Sequence, residues 1–520
     1  MRLVKPTIVH EGPTGILTLT DDIGTTDFLP NCDLDAARDL LVEFQELKDS
    51  QGVALKDNYR VGPRNWYPAM VSNLFWYVFL PWVKYRPLAE NALFHGAKYD
   101  FSSRGNFGGL ISILEGLPHG GWKARLHEFL WRLGNRINVR RHHADLLFFR
   151  FALKDFRSVE IRATLKQLGV KTLEAVPANS ILSILQSLWE GQPHYFFPQP
   201  NKRIHGNRFR REYELDDSDR ARRALFTAAI RYMETTLTTC VLEEKEHRRM
   251  LKISGVRAFY GFDDVNTYFY SLFFAAKSLG LPTLGHQHGA YVKRHAGYMM
   301  EGIVPADLEW YDHVIVWGNY WREKMIREAP VHPPGRWIVG ASKLKIPYDK
   351  TTEEGSPRIP SNVLIPYEFL ADTASVGRYI SCLVELGYKV WFRARVDEDP
   401  AAQLDAYLLA PEIRDKVRMA TGPLDENFLA GIDIIAGTMT TLIYELLPAE
   451  KIIWYLDTPY RHLYDLVEER LAHLIRLPDL RPPGQMPPEL LTPTRIPADE
   501  LFGNECLVET LGKHLVPLLN

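Results

Sequence analysis

A chain of 520 residues is too long for one compact core, since single cores stop growing near ~250 to 300 residues, and it suits two domains with elaborations. With 46% hydrophobic and 24% charged residues, the composition excludes a largely disordered chain. The formal net charge of -2 excludes a protein whose main business is coating nucleic acid, because that needs a strong basic excess.

The first residues, MRLVKPTIVHEGPTG, hold no apolar run of signal-peptide length, and no later stretch is apolar for long enough to span a bilayer. The chain is therefore expected in the cytoplasm. Its four cysteines, Cys32, Cys240, Cys382 and Cys506, lie far apart with no C-x-x-C pair, so neither a zinc site nor a disulfide framework is expected. Residues 1–140 carry many glycines, prolines and aromatics without an α/β rhythm and read as an irregular N-terminal elaboration. Within them, 74–83 (LFWYVFLPWV) is aromatic, short, interrupted by Pro81 and followed by Lys84 and Arg86; a buried helix explains it better than a membrane-surface segment.

From Asp145 the pattern changes. LLFFRFAL reads as a buried strand, 159–168 as a helix and 172–176 as a strand, which begins a βαβ unit. A long helix is predicted over 218–250, with Asp216 and Asp217 placed to cap it and Lys245, Arg248 and Arg249 near its end. Strands at 256–260, 283–286, 313–317 and 337–339 then alternate with helices at 264–279 and 320–328, the rhythm of a parallel, doubly wound sheet.

The stretch DKTTEEGSPRIPS at 349–361 is polar, holds Gly355, Pro357 and Pro360, and has no apolar periodicity, so it reads as a linker. Beyond it the rhythm restarts with strands at 363–365, 389–393, 417–420, 432–435 and 452–456 and helices at 375–386 and 440–447. The expected architecture is α/β: two Rossmann-like domains, an N-terminal one, 1–348, whose Rossmann-like core begins near 145, and a C-terminal one, 362–520. Two such domains face a cleft, and ligands in such sheets bind beyond the carboxyl ends of the strands.

Three constellations could carry chemistry. Gly285-His286-Gln287-His288-Gly289 comes directly off an apolar strand, with a glycine on each side where the backbone can approach a ligand closely. No nearby cysteine or carboxylate completes a metal site with its two histidines, so no metal is expected, and His286 suits a structural role better than His288, which lies further out at the strand end. Gly437-Thr438-Met439-Thr440-Thr441 precedes a helix and offers hydroxyls and backbone N–H groups to an anion, with Glu445 one turn further in to meet ribose hydroxyls. A plain threonine N-cap with Glu445 on a solvent face is the competing explanation. Asp263 and Asp264 follow the strand VRAFY; Asp264 suits an N-cap and Asp263 a base or nucleophile, or a loop-solvating residue. The acidic turn 397–400 is weak evidence for a metal.

The order of a strand ending in Gln287-His288-Gly289, then YDHVIVWGNYWREKMI, WIVGASKL, VLIPYEF, VWFRARVDEDP and DIIAGTMTTLIYELL resembles bacterial surface-polysaccharide glycosyltransferases of the GT-B fold over about 256–456. The nearest families are the Kdo transferases that use CMP-Kdo and the CDP-glycerol glycerophosphotransferases. The resemblance implies a Gln-His-Gly turn facing the cleft and a Gly-Ser/Thr-rich turn holding the donor phosphate, matched here by Gln287, His288, Gly289, Gly437, Thr438, Thr440 and Thr441. Where many relatives carry Arg-x-His-Pro, this chain has Arg393-Ala394-Arg395-Val396, whose two guanidiniums suit a phosphate or carboxylate.

The expectation is thus a glycosyltransferase without a cofactor, with Asp263 and His288 catalytic. Its donor is a nucleotide sugar and its acceptor a glycan or glycolipid of the capsule or lipopolysaccharide kind. Two alternatives stay open: a nucleotide-sugar epimerase of the same fold, and a non-catalytic envelope-assembly scaffold. Basic clusters at 123–141, with Arg132, Arg136 and Arg140, and at 202–211 suit an anionic acceptor or peripheral contact with the inner membrane surface, although solvated helix faces are the commoner explanation.

Overall fold

A computed structural model describes residues 5–12, 15–102, 105–116, 122–150, 158–178, 180–197, 208–216, 218–262, 265–341, 359–368, 373–395, 399–422 and 424–520. Two wholly parallel sheets organise it. The first contains Leu146–Phe149 (β1), Thr172–Pro177 (β2), His194–Phe197 (β3), Ala258–Phe262 (β4), Thr283–His286 (β5), His313–Val316 (β6) and Trp337–Val339 (β7), in the spatial order β7-β6-β5-β4-β1-β2-β3. The second contains Asn362–Pro366 (β8), Lys389–Arg393 (β9), Arg418–Met419 (β10), Ile434–Gly437 (β11), Ile452–Leu456 (β12) and His473–Ile475 (β13), in the order β10-β9-β8-β11-β12-β13. Each runs outward from a central pair, β1/β4 and β8/β11, where the winding reverses; that is the doubly wound Rossmann pattern expected from the sequence.

The central strands are apolar along their whole length because both faces are covered. Every residue of β1, β4, β8, β11 and β12 is buried. The edge strands β3 and β13 did not stand out in the sequence, since HYFF and HLI are too short to show a period.

The N-terminal elaboration is more regular than its composition suggests. Thr7–Glu11, Leu17–Thr20, Thr25–Phe28 and Tyr99–Phe101 form a small mixed sheet, and helices fill most of the rest. The aromatic stretch 74–83 is helical and mostly buried, as expected. Pro81 does not break it: a π-helical turn at Phe75–Phe79 widens the helix just before the residue that lacks an N–H, and Leu80–His95 continues beyond.

Two corrections concern boundaries. The long helix is Arg220–Ser254, and its cap is Asp219, which accepts from Ala221 N and Arg222 N; Asp216 instead accepts from Ser218 within its own turn, and Asp217 is outside the described residues. The unit expected at 362–520 does not keep its last helix to itself. Leu507 and Leu511 of Leu507–His514, with Leu515 and Leu519, pack with Leu146, Phe148, Ile161 and Leu165 of the first sheet's layer. The chain end therefore returns to the first domain. Most of the expected linker, through 358, lies outside the described residues.

Candidate functional site

The turn after β5 is built around Gln287. Its Oε1 accepts from Trp317 N at 2.9 Å, its Nε2 donates to Gly289 O at 2.9 Å, and its own carbonyl accepts from the Trp317 indole at 2.9 Å. Gln287 is buried, so its amide is spent on shaping the turn rather than on meeting a donor, which corrects the role expected for it. His286 is structural as anticipated: its Nδ1 bonds the Tyr260 hydroxyl at 2.8 Å and its Nε2 meets Ala341 O at 3.1 Å. Gly285 serves packing, because a Cβ there would come within 2.9 Å of the Tyr311 ring. His288, two residues beyond the strand, is half-buried near the rings of Phe262 and Tyr298. Asp263 and Asp264 lie outside the described residues.

The turn after β11 differs most from expectation. The carboxylate of Glu368, two residues beyond β8, sits against this turn where a phosphate was expected. The Thr438 hydroxyl donates to Glu368 Oε2 at 2.8 Å. Burial pushes the Glu368 carboxyl up to about 7, against the opposing pull of the Thr438 hydroxyl and the amides of Thr438, Thr440 and Met439. Gly437 is needed for the same reason, since a Cβ would collide with that carboxylate. The following helix, Leu442–Glu445, has four residues and gives way to a 3-10 turn at Leu447–Ala449, shorter than the 440–447 helix expected. Glu445 is buried rather than on a solvent face. Thr440 Oγ1 accepts from Leu442 N at 3.4 Å.

Glu368 went unnoticed in the sequence. The available signal was its place at the carboxyl end of VLIPYE, beside the strand-order reversal. The two arginines are also placed differently from expectation. Arg393 donates to the carbonyls of Ala420 and Gly422, and burial lowers its pKa. Arg395 is exposed, with its backbone N bonded to Gln403 Oε1 at 2.9 Å. In the acidic turn 397–400, Asp399 caps the short helix Pro400–Asp405, while 397 and 398 are outside the described residues. Among the described residues no group of three or more histidines, cysteines or carboxylates is arranged to hold a metal.

The two turns meet. Ala290 N donates to Thr441 Oγ1 at 3.3 Å, so the end of the Gln-His-Gly turn touches the threonine turn of the other sheet. Further along this seam Lys293 N donates to Asp465 Oδ2 at 2.9 Å, and the fully buried Lys324 ammonium reaches Asp465 at 2.9 Å, Glu469 at 2.6 Å and Glu328 at 3.3 Å. Burial is the largest single influence on Lys324 and lowers its pKa, but the three carboxylates together outweigh it and hold it above its usual value. Two half-buried histidines face one another from opposite sides, His295 and His462, with ring centroids 6.4 Å apart. Trp76 packs near both, Tyr298 lies against His295 and Tyr460 stacks on His462. Burial depresses them to about 3 and about 4, assisted at His295 by His462 and His288, so both are neutral near pH 7.

The Ala290–Thr441 hydrogen bond brings together the turns at the carboxyl ends of two Rossmann sheets, with an imidazole on the first side and a hydroxyl turn beside the Glu368 carboxylate on the second. The chain matches no protein-family model and no curated protein sequence. Among solved structures it is similar to MurG of Acinetobacter baumannii, at 15% identity over 72% of this chain and 98% of that one, with a TM-score of 0.43. It is also similar to a UDP-GlcNAc 2-epimerase of Neisseria meningitidis bound to UDP-GlcNAc, at 11% identity over 72% and 99% of the two chains, with a TM-score of 0.38. The wall teichoic acid polymerase TagF is a further similar structure, at 9% identity over 65% of this chain and 76% of that one, with a TM-score of 0.27.

Proposed function

We propose that the chain is a glycosyltransferase of the GT-B kind, moving a sugar from a nucleotide-activated donor to a polysaccharide or glycolipid acceptor. The observation that carries the reading is the contact of Ala290 N with Thr441 Oγ1, which puts the strand ends of both sheets on one seam at their ligand-binding edges. A reacting sugar held there has His288 on one side and the 438–441 turn on the other. His288 serves as base for the acceptor hydroxyl or, when protonated, bonds the departing phosphate; Asp263, next to β4, is the second candidate for base or nucleophile. The C-terminal domain, from about 362, holds the nucleotide, and 349–361 joins the domains.

In this reading the donor phosphate meets the 438–441 turn beside Glu368, so donor binding displaces that carboxylate or finds it protonated. The donor is a cytidine or uridine nucleotide sugar, CMP-Kdo among them, and the protein works in the cytoplasm. The test is a melting-temperature screen with CMP, CDP, UMP and UDP, because a ligand of the native state raises apparent stability by mass action. A pyrimidine nucleotide should raise the melting temperature, and nucleotide should be released from the matching donor only when acceptor is present. Conversion of the donor to its epimer with the nucleotide still attached, without acceptor, identifies the epimerase reading, and no shift with any nucleotide identifies a scaffold.

A further inference from the structure

The Trp122–Arg141 helix packs inward through one side. Trp131, Asn135, Asn138 and Val139 are buried, and the two asparagines donate to Phe196 O at 2.8 Å and His194 O at 2.7 Å on β3. The opposite side is apolar and open to solvent. Leu126, Phe129, Leu133 and Ile137 recur at helical spacing, and Phe129 is 61% exposed. A neighbouring helix, Ile181–Trp189, repeats the pattern: Ile184 and Ser187 point inward, whereas Leu182 is 74%, Leu185 47% and Trp189 91% exposed. The helices are in contact, since a Cβ on Gly134 would meet Ile184 at 3.4 Å and Arg141 reaches Leu188 O at 3.5 Å. An indole left almost wholly in water forgoes about 25 cal/mol for each Å² it could bury, and seven large apolar side chains on adjoining helices form a patch rather than scattered exceptions.

The charge around this patch selects what covers it. Arg136, Arg140 and Arg141 are exposed on the same helix; Arg136 keeps 59% of its side chain exposed although it lies 3.5 Å from Glu246, and within 126–141 the sole acidic residue, Glu128, is engaged by Arg132 at 2.6 Å. A second copy would present the same apolar face with the same arginines and only Glu128, already engaged, to pair with them along 126–141, and like charges at a desolvated interface oppose association. An anionic bilayer surface satisfies both features at once: the apolar tips enter the headgroup and acyl boundary while the arginines meet lipid phosphates. No helix among the described residues is long and apolar enough to cross a membrane, so the fit is to a surface and not to a span.

We propose that the exposed face formed by the 122–141 and 181–189 helices is a docking surface for an anionic lipid bilayer. It stands apart from the transferase reading, because lipid binding is measured without donor or acceptor. The experiment is co-sedimentation of the full chain with vesicles of phosphatidylglycerol and phosphatidylethanolamine, and with vesicles of phosphatidylcholine, comparing wild type with Phe129→Ser/Trp189→Ser and with Arg136→Glu/Arg140→Glu. All four positions are solvent-exposed, and circular dichroism checks that both variants keep the fold. Wild type should bind the anionic vesicles at least about tenfold better than the zwitterionic ones, and each double variant should lose about tenfold or more of that binding. No binding to anionic vesicles, or binding unchanged in either variant, overturns the proposal. So does a wild-type dimer that Phe129→Ser/Trp189→Ser converts to monomer while vesicle binding persists, which would assign the face to a second copy.

Discussion

Lys324 and Asp465 form an ion pair of 2.9 Å between two fully buried side chains, one on the helix after β6 and the other beyond β12. The helix Asn319–Glu328 belongs to the first sheet's layer and Asp465–Glu468 to the second's, so the pair crosses the seam. With Lys324 replaced by methionine, Asp465, Glu469 and Glu328 are left in low dielectric without their common cation. Breaking a buried pair in this way costs about 3 to 5 kcal/mol. Lys324→Met should therefore lower the melting temperature sharply and, where the chain relieves the charge by opening, increase the radius of gyration in small-angle scattering. Lys293→Met removes a pair with Glu468 that is much more exposed and should cost less than about 1 kcal/mol. Equal, small effects of the two changes would show that the seam does not depend on Lys324.

Glu368 gives the site a pH dependence of definite sign. Its carboxyl titrates near 7 in the folded chain against an ordinary value of 4.5, so between those values the folded state holds a proton that the unfolded state has released. Its contribution to stability is present below about 4.5 and is lost as pH rises through about 7. Glu368→Gln keeps the shape without the titration and should stabilise the chain at pH 8 relative to wild type while leaving it nearly unchanged at pH 5. If the donor phosphate shares this turn, a nucleotide sugar should bind more tightly at pH 6 than at pH 8, and the difference should vanish in Glu368→Gln. Calorimetric titration at the two pH values checks it.

His295 and His462 act in the opposite direction. Both are depressed far below 6.5, so their contribution is complete above 6.5 and is lost as pH falls toward about 4 and about 3. The melting temperature of wild type should drop between pH 7 and pH 5, and His462→Phe should reduce that drop. His194 and His332, depressed by burial to about 4 and about 3, retain part of the slope in the variant, so the measured quantity is the difference between the two profiles. Identical profiles would mean that His462 is not held neutral at the seam.

Strands buried on both faces were legible because LLFF, AFY, LIP, IIA and IIWYL are apolar runs whose length itself marks them. The site was legible at the level of its two turns, since each follows such a strand. The partners of those turns were not. Nothing local links Gln287 to Trp317, thirty positions on, or Glu368 to Thr438, seventy positions on, because both contacts arise from strands that become neighbours only when the sheets are wound. A polar residue just beyond a buried strand looks the same whether it awaits a ligand or bonds to the adjacent strand's turn. For Gln287 the second holds, and the Glu368 carboxylate, from the end of the neighbouring strand, bonds the Thr438 hydroxyl of the turn where an external anion was expected.

The remaining prediction separates support of the turn from chemistry. Gln287 holds Trp317 N and Gly289 O, so Gln287→Leu leaves a buried N–H unpaired and should cost about 1 to 3 kcal/mol of stability. His288 is half-buried beside the rings of Phe262 and Tyr298. His288→Ala should leave the melting temperature within about 1 kcal/mol of wild type in stability terms while removing a proton-transfer group, an effect of about 10²- to 10⁴-fold on turnover. Thr440→Val with Thr441→Val keeps side-chain shape but removes two of the turn's three hydroxyls, and with them the acceptors of Leu442 N and Ala290 N, so it should weaken donor affinity more than it slows bound substrate. Turnover and nucleotide affinity, each measured on variants checked for folding, distinguish the cases. A His288→Ala enzyme that turns over normally would remove the imidazole from the chemistry and leave Asp263 as the group to test next, through Asp263→Asn.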